Sequence, residues 1–323
     1  MKAIIFTRYG SPDFLQFKEI AKPVPKDNEV LIKMRASSIN SWDWEYQSGT
    51  YLNRILFGLF RPNRKKQILG ADIAGTIERI GKNITRFQPG DEVFGDLWDS
   101  WGGFAEYACA SENSLELKPA NLTFEEAAAI PQAGVLALQG LRKTGQIKPG
   151  QKVLINGAGG GVGTFAVQLA MLAGTEVTGV DSTHKLDAIR AIGAGHVIDY
   201  TQEDFTQNGQ QYDLILDVHG FRSMFDYKRA LNPHGTYAMV GGGVSRMLQA
   251  VILGLWGSIT GGQKFRLVMA EPNKGLTDII KLVEAGKIVP MVDKIYKLQE
   301  VPEALRYFTE GRHKGKIVIT MER

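Results

Sequence analysis

The alternation of hydrophobic and polar positions divides the chain into a β-rich first part, an α/β middle and a short mixed tail. Up to about residue 124, alternating runs such as 29–34 and 73–80 are separated by glycine, proline and asparagine turns, a pattern typical of β-strands. After about residue 287, strand-like runs return around a helical pattern at 301–310. Because a lone strand needs a sheet to pair with, we expect the tail to rejoin the first part.

The middle of the chain alternates strand-like apolar runs with helical spacing. A helix is predicted over 125–143, with Thr123 as its N-cap and Glu126 as the capping-box partner. The strand-like runs after it lie at 153–155, 176–180, 196–199, 214–217, 236–240 and 265–269. Strands that alternate with helices form a parallel, doubly wound sheet. We therefore predict two domains, a β-rich one from residues 1–124 and 287–323 and an α/β one from 125–286.

The stretch 152–181 (KVLINGAGGGVGTFAVQLAMLAGTEVTGVD) carries the clearest functional pattern. Its strand, glycine turn, helix and second strand form a βαβ unit, and the turn fits the A-x-G-x-x-G variant of the dinucleotide fingerprint. The residues of the fingerprint are Ala158, Gly160, Gly161, Val162 and Gly163. Gly160 lets the backbone approach a pyrophosphate, Gly163 lets the helix pack on the strand, and the helix N-terminus faces the phosphates. The alternative is a tight turn that binds no ligand.

Composition and charge narrow the class of protein further. The 323 residues are 44% hydrophobic and 22% charged, as in a globular protein, and the net charge of +4 gives no strong case for nucleic acid. The single cysteine, Cys109, excludes an internal disulfide and a multi-cysteine zinc site, and favours a cytoplasmic location. The apolar run 247–262 is interrupted by glycines and is shorter than the about 20 residues that a membrane span needs. We expect it to be a mobile or interface segment, with no membrane partner.

Seven ordered segments resemble a known family along essentially the whole chain. They are SINSWDWEYQSG (38–49), LGADIAGTIERIG (69–81), FQPGDEVFG (87–95), GGFAEYA (102–108), IKPGQKVLINGAGGGVG (147–163), IGAGHVIDYTQEDF (192–205) and KGKIVI (314–319). The chain resembles the medium-chain dehydrogenase/reductase superfamily and, within it, the zinc-independent quinone oxidoreductases. This resemblance implies a GroES-like β-rich catalytic domain from both ends of the chain and a Rossmann domain between them, with nicotinamide and acceptor in the cleft.

Departures from the zinc-dependent branch indicate chemistry without a metal. Where those alcohol dehydrogenases place cysteine, histidine and cysteine around zinc, this chain has Asn40, Ala71 and Ala133, none of them a first-choice zinc ligand. Without zinc to polarise an oxygen, the easier acceptors are those whose own π-system takes up negative charge. We therefore expect hydride transfer to a small hydrophobic quinone or α,β-unsaturated carbonyl, with a proton from water or a nearby hydroxyl.

The resemblance also implies three residues on the substrate side. Tyr51 is expected to donate a hydrogen bond to a developing enolate, and Asn40 to fix the acceptor carbonyl or the nicotinamide ribose. Asp43 belongs to the same set. Two structural alternatives stay open, in which Asp43 braces a turn and Tyr51 is a half-buried loop residue.

Residues at the end of the second α/β strand give opposite indications on the cofactor. Asp181 stands where an acid usually accepts hydrogen bonds from the ribose 2′-hydroxyl, which favours NAD(H). By the resemblance, Ser182, Lys185 and Tyr200 match positions that contact a 2′-phosphate, which leads us to expect NADP(H) over NAD(H). Val240 and Gly241, after the fifth strand, are expected along the nicotinamide.

The resulting hypothesis is a zinc-independent NAD(P)H-dependent oxidoreductase, with a homodimer expected from the family. The alternative is a non-enzymatic NADPH-binding redox sensor or interaction protein on the same fold, which a shared fold alone does not exclude. Turnover of quinones and enones discriminates between the two hypotheses.

Overall fold

The structure, a computed structural model, describes residues 1–49, 67–143, 147–242, 244–260 and 262–321. It divides into two compact units, the first from Met1–Gln132 and Pro290–Arg323 and the second from Ala133–Val289. The first unit extends past residue 124 because the short helix that begins at Phe124 packs on its strands.

The strands of the described residues are β1 (Lys2–Phe6), β2 (Leu15–Glu19), β3 (Glu29–Ser38), β4 (Asp72–Ile80), β5 (Glu92–Asp96), β6 (Tyr107–Ser111), β7 (Glu116–Leu117), β8 (Lys152–Asn156), β9 (Glu176–Asp181), β10 (His196–Asp199), β11 (Tyr212–Asp217), β12 (Leu231–Met239), β13 (Lys264–Leu267), β14 (Val292–Lys297) and β15 (Lys316–Thr320). The α-helices are α1 (Ser41–Ser48), α2 (Phe124–Ala128), α3 (Pro131–Lys143), α4 (Gly161–Leu172), α5 (Leu186–Ala191), α6 (Met224–Ala230), α7 (Val244–Thr260), α8 (Leu276–Glu284) and α9 (Val301–Thr309).

The first unit is a β-rich domain closed by the C-terminal strands. Its large sheet has the order β14-β15-β3-β4-β5-β7, with β6 also paired to β3, and β1 pairs with β2 beside it. The antiparallel register sets Ser38 opposite Asp72 and Asp72 opposite Asp96, while β15 lies on the other edge of β3. The predicted GroES-like fold is confirmed, and the pairing of β15 with β3 brings polar residues of distant segments together.

The second unit is a parallel, doubly wound sheet of order β10-β9-β8-β11-β12-β13. All five strand pairs are parallel, which confirms the predicted Rossmann architecture. The core of this unit lies between the sheet and its helices, around Leu154, Ile215, Tyr227 and Tyr237, all of them below 1% exposed. The order reverses between β8 and β11, and ligands bind outside the carboxyl ends of strands at such a switch point.

Two local features of the structure were not predicted. The helix expected over 125–143 is two helices, α2 and α3, because the residue before Pro131 is disfavoured in the α conformation. The capping box of Thr123 and Glu126 at its start is confirmed. No helix was predicted over the run 247–262, which lies almost wholly in helix α7, and the expectation of a mobile or interface segment stays a prediction. Gly254 permits close packing there, since a Cβ on it would come within 2.5 Å of the Phe265 carbonyl oxygen. None of the described helices is long and apolar enough to cross a membrane.

Candidate active site

The glycine turn between β8 and α4 has the shape that a dinucleotide phosphate needs. Gly157 turns the chain with φ of +86°, and a Cβ on Gly163 would lie 2.0 Å from the Gly157 carbonyl oxygen. At Gly160 a Cβ would meet just that same oxygen, at 3.5 Å, so this face of the turn is open. Gly160 is also the N-cap of the twelve-residue helix α4, and no side chain caps it. The first N–H groups of that helix therefore fit a pyrophosphate.

Asp181 closes the turn from the end of β9. Its Oδ2 accepts a hydrogen bond from the Gly159 N–H at 2.9 Å, and its Oδ1 accepts one from the Ser182 N–H at 2.9 Å. The Lys185 ammonium lies 3.4 Å from Oδ1, with both side chains 4% exposed. The Tyr200 N–H donates to the Asp181 carbonyl oxygen, while the Tyr200 side chain is half exposed. The structure thus brings these four predicted cofactor residues to one place, with Asp181 and Lys185 already paired to each other.

The predicted nicotinamide segment lies at the carboxyl ends of β11 and β12. The Val240 N–H donates to the Asp217 carbonyl oxygen at 2.8 Å, and a Cβ on Gly220 would come within 2.8 Å of the Gly241 carbonyl oxygen. The Asp217 carboxylate holds the turn that follows β11, where it accepts hydrogen bonds from the N–H groups of His219 and Gly220. The turns that follow β11 and β12 therefore pack against each other at the carboxyl ends of these strands.

In the first unit, Asn40 belongs to a buried polar cluster that we call the Asn40 cluster, formed with Asp72, Lys316 and Ser38. The Asn40 amide nitrogen donates to Asp72 Oδ2 at 3.0 Å, and its amide oxygen accepts from the Lys316 ammonium at 2.5 Å. The ammonium also lies 3.3 Å from Asp72 Oδ2, and the Ser38 hydroxyl donates to that oxygen at 3.1 Å. Ser38, Asp72 and Lys316 lie on β3, β4 and β15, which the sheet register holds together. Asn40 follows the end of β3.

Asp43, the second predicted substrate-side residue, has both carboxylate oxygens on backbone donors. Oδ2 accepts from the Asn40 N–H at 2.8 Å, and Oδ1 accepts from the Gly70 N–H at 2.9 Å. It thereby braces the start of α1 against the segment before β4. Burial raises the pKa of Asp43 to about 7, although the two backbone hydrogen bonds lower it.

Asp96 lies directly across the sheet from Asp72, and both side chains are buried. Burial and the nearby charge of Asp72 raise the pKa of Asp96 well above its ordinary value. Asp43, Asp72 and Asp96 therefore share one buried region of the first unit with the Lys316 ammonium, and the raised pKa values of Asp43 and Asp96 favour the protonated forms of those two acids.

The residues that stand in place of zinc ligands are poor donors to a metal. Ala71 and Ala133 are 1% exposed methyl side chains, and the Asn40 amide oxygen is taken by Lys316. In the described ranges, no three histidine, cysteine, aspartate or glutamate side chains form a group that could hold a metal ion. The third substrate-side prediction, Tyr51, lies outside the described residues.

Sequence reasoning missed Asp72 and Lys316 as site residues. Each is a charged residue within or at the end of a strongly apolar strand, in the segments ADIAG and KGKIVI. A charge at such a position is a signal, because buried ionisable residues are rare unless they are paired or hydrogen-bonded.

Comparison with known proteins agrees with this architecture. Residues 26–120 match the family described as "Alcohol dehydrogenase GroES-like domain", and residues 192–319 match "Zinc-binding dehydrogenase". The chain is 32% identical to a chloroplastic quinone-oxidoreductase homolog of Spinacia oleracea, over 99% of this chain and 98% of that one. It is 28% identical to an NADPH-dependent alkenal/one oxidoreductase of Arabidopsis thaliana, over 99% and 79%.

A solved structure of the quinone oxidoreductase from Coxiella burnetii superposes with a TM-score of 0.86 at 28% identity, covering 100% of this chain and 99% of that one. The relatives and the solved structure therefore match this chain along its whole length. The chain belongs to the quinone oxidoreductase family of the medium-chain dehydrogenase/reductase superfamily.

Proposed function

We propose that the protein is a zinc-independent NAD(P)H-dependent oxidoreductase that reduces a small hydrophobic quinone or α,β-unsaturated carbonyl. The observation that carries this proposal is the Asn40 amide, which stands where the zinc-dependent branch has a metal ligand and is held by Lys316 and Asp72. An amide in this place can donate a hydrogen bond to an oxygen, but it does not replace a Lewis acid.

The residues of the chain divide the work of the reaction. The uncapped start of α4 and the open face at Gly160 suit the pyrophosphate. When bound, the nicotinamide supplies a hydride to the conjugated acceptor. Asn40 donates a hydrogen bond to the acceptor oxygen, on which negative charge develops, and water supplies the proton that completes the two-electron reduction.

For the cofactor we propose NADP(H) over NAD(H). Both Asp181 oxygens accept hydrogen bonds from backbone N–H groups, and Lys185 neutralises the carboxylate. The Asp181 carboxylate then repels a ribose 2′-phosphate less. The Ser182 hydroxyl lies next to this carboxylate and can donate a hydrogen bond to the phosphate. Lys185→Met should raise the KM for NADPH about tenfold while changing the KM for NADH little, since a phosphate loses a charge-assisted partner. A wild-type KM for NADH tenfold below that for NADPH would reject this choice.

The proposed function is tested by oxidation of NADPH and NADH against a panel of quinones and 2-alkenals, with metal analysis of the same sample. We expect turnover in metal-free protein and a fall of about tenfold or more in kcat/KM for Asn40→Ala, as for loss of one oxyanion donor. Tight NADPH binding without turnover of any acceptor would instead indicate a redox sensor. Tyr51→Phe tests the remaining predicted donor, and a change below about twofold would remove it from the mechanism.

We also propose a homodimer in a reducing compartment such as the cytoplasm. Strand β13 is an edge strand of the described sheet, and α7 beside it exposes Leu248 and Ile252, by 59% and 61%. A second copy would cover both, since exposed sheet edges and apolar patches favour association. The single cysteine, Cys109, suits reducing conditions. Light scattering and fractionation of cells would test the two statements.

A further inference from the structure

The Lys316 ammonium uses its hydrogen-bonding capacity completely within the Asn40 cluster. Lysine has three N–H donors and no acceptor. The ammonium has three acceptors around it, the Ile39 carbonyl oxygen at 3.1 Å, the Asn40 amide oxygen at 2.5 Å and Asp72 Oδ2 at 3.3 Å. The position of the Lys316 ammonium is therefore fixed, and the groups that face it must present an acceptor.

The two charged neighbours allow the Asn40 amide one orientation. Lysine can only donate and a carboxylate can only accept, so the amide oxygen must face Lys316 and the amide nitrogen must face Asp72. A flipped amide would set its NH₂ group against the ammonium and its oxygen against the carboxylate. Both contacts would then be repulsive, so the orientation is fixed by charge and not by shape alone.

Burial and further partners make this orientation rigid. Asn40, Asp72 and Lys316 are 6%, 0% and 3% exposed, and electrostatic interactions are stronger in such surroundings than in water. Asp72 is held in turn by the Ser38 hydroxyl at Oδ2 and by the Gln132 N–H, 2.9 Å from Oδ1. Within the described part of the chain, Asp72 is the only acceptor that the Asn40 amide nitrogen contacts, so one of its two N–H bonds stays available to a ligand.

We propose that Lys316 and Asp72 are positioning residues that hold Asn40 as a hydrogen-bond donor toward the acceptor oxygen. This inference rests on the proposed function, in which Asn40 contacts the acceptor. As hydride adds to a quinone or enone, negative charge builds up on that oxygen, and a donor that is already oriented needs no reorganisation. Without the lysine and the carboxylate, the amide would present its oxygen to the acceptor part of the time, which opposes the reaction.

The test uses the double substitution Asp72→Asn with Lys316→Met, which removes both charges of this ion pair together, so that neither of the two is left without its partner. We expect kcat/KM for the acceptor to fall at least about tenfold, because the donor is no longer oriented. The KM for NADPH should stay within about twofold of wild type, since Asn40 is assigned to the acceptor. Lys314→Met, an exposed lysine two residues away, is the matched control and should leave both constants unchanged. An unchanged kcat/KM in the double variant would overturn the proposal.

The same double substitution in an Asn40→Ala background separates positioning from a merely structural role. If Lys316 and Asp72 act through Asn40, the double substitution causes no further fall in kcat/KM once Asn40 is gone. An equal fall in both backgrounds would show that the two residues act independently of Asn40, and the proposal would be wrong.

A measurement on the amide itself does not depend on turnover. In protein labelled with ¹⁵N-asparagine, the Asn40 side-chain signal is assigned by its loss in Asn40→Ala. We expect slow hydrogen exchange for wild type and exchange faster by about tenfold or more in the double variant. Equal exchange rates would overturn the positioning role. The expected difference in exchange, found together with no turnover of any acceptor by wild type, would uphold the fixed amide and overturn the proposed function.

Discussion

Asp72 in the first unit and Asp217 in the second unit are equally buried carboxylates, but their partners differ. Asp72 has a buried ammonium in addition to neutral donors, whereas the partners of Asp217 among the described residues are uncharged donors. Asp217 Oδ1 accepts from the Asn156 amide and two backbone N–H groups, and Oδ2 accepts from the Tyr237 hydroxyl at 2.6 Å.

The difference shows what each arrangement can tolerate. A carboxylate with several neutral donors can lose one and keep the others, so each lost donor lowers the stability by the contribution of one hydrogen bond. A buried ion pair has a single partner of opposite charge, and its removal leaves an uncompensated ion. Asp72 is therefore the more sensitive of these two carboxylates to a single substitution, and Lys316 is the residue whose removal tests it.

Removal of the cation should have the largest effect. Lys316→Met alone should lower the free energy of unfolding by about 3–5 kcal/mol, because Asp72 stays buried without its counter-ion. Adding Asp72→Asn should restore part of this loss. Chemical denaturation followed by circular dichroism measures both. A single variant as stable as wild type would show that Asp72 needs no cation, and the contrast with Asp217 would disappear.

A pH titration sharpens the comparison at Asp43, a carboxylate held by two backbone donors. Its pKa is raised from 3.8 to about 7 by burial, so the folded state binds the proton more tightly than the unfolded chain does. The free energy of unfolding of wild type relative to Asp43→Asn should therefore fall as pH rises from about 4 to about 7, by on the order of 3 kcal/mol, and stay constant above that. Denaturation of both proteins across this range measures the difference. A difference independent of pH would mean that Asp43 is ionised throughout.

Loss of one neutral donor should cost less than loss of the cation. Tyr237→Phe keeps the ring in the core and removes the hydroxyl from Asp217 Oδ2, so we expect about 1.5–3 kcal/mol of destabilisation, the usual contribution of a hydrogen bond to a charged group. Burial and the charge of Asp217 raise the pKa of Tyr237 above its ordinary value, so the hydroxyl stays a donor at neutral pH. A loss as large as that of Lys316→Met would contradict the stepwise behaviour expected of Asp217.

An exposed ion pair gives the lower limit of the series. Arg190 lies 2.8 Å from Asp187, with side chains 56% and 99% exposed. Arg190→Ala should change the free energy of unfolding by less than about 0.5 kcal/mol, because solvent screens the pair. A larger loss in thermal or chemical denaturation would indicate that charge proximity alone, and not burial, determines these effects.

Much of the fold could be predicted from the sequence because it depends on periodicity. Strand and helix spacing identified the parallel sheet of the second unit, and the glycine turn identified the start of α4. The break at Pro131 and the helix α7 were missed, since a proline can start a helix as well as end one, and interior glycines are tolerated where they pack closely.

The Asn40 cluster was predicted in part. Asn40 and Asp43 could be named from their position in the motif SINSWDWEYQSG, but the partner of Asn40 could not. Asp72 and Lys316 are 244 residues apart in sequence, and periodicity states which face of a strand is buried without stating which strand lies beside it. The Asp181 and Lys185 pair was missed for a different reason: the two residues are only four apart in sequence, and the motif assigns each of them to the cofactor without stating that they pair with each other.

The position of Lys316 has a consequence for how the chain folds. The whole second unit lies in sequence between the segments that supply Asp72 and Lys316, so during synthesis it emerges and can fold first, since domains fold as units. Until β15 docks on β3, the Asp72 carboxylate has no ammonium and should stay hydrated. The Asn40 cluster is thus completed late in folding, when the N-terminal and C-terminal segments of the first unit pair with each other.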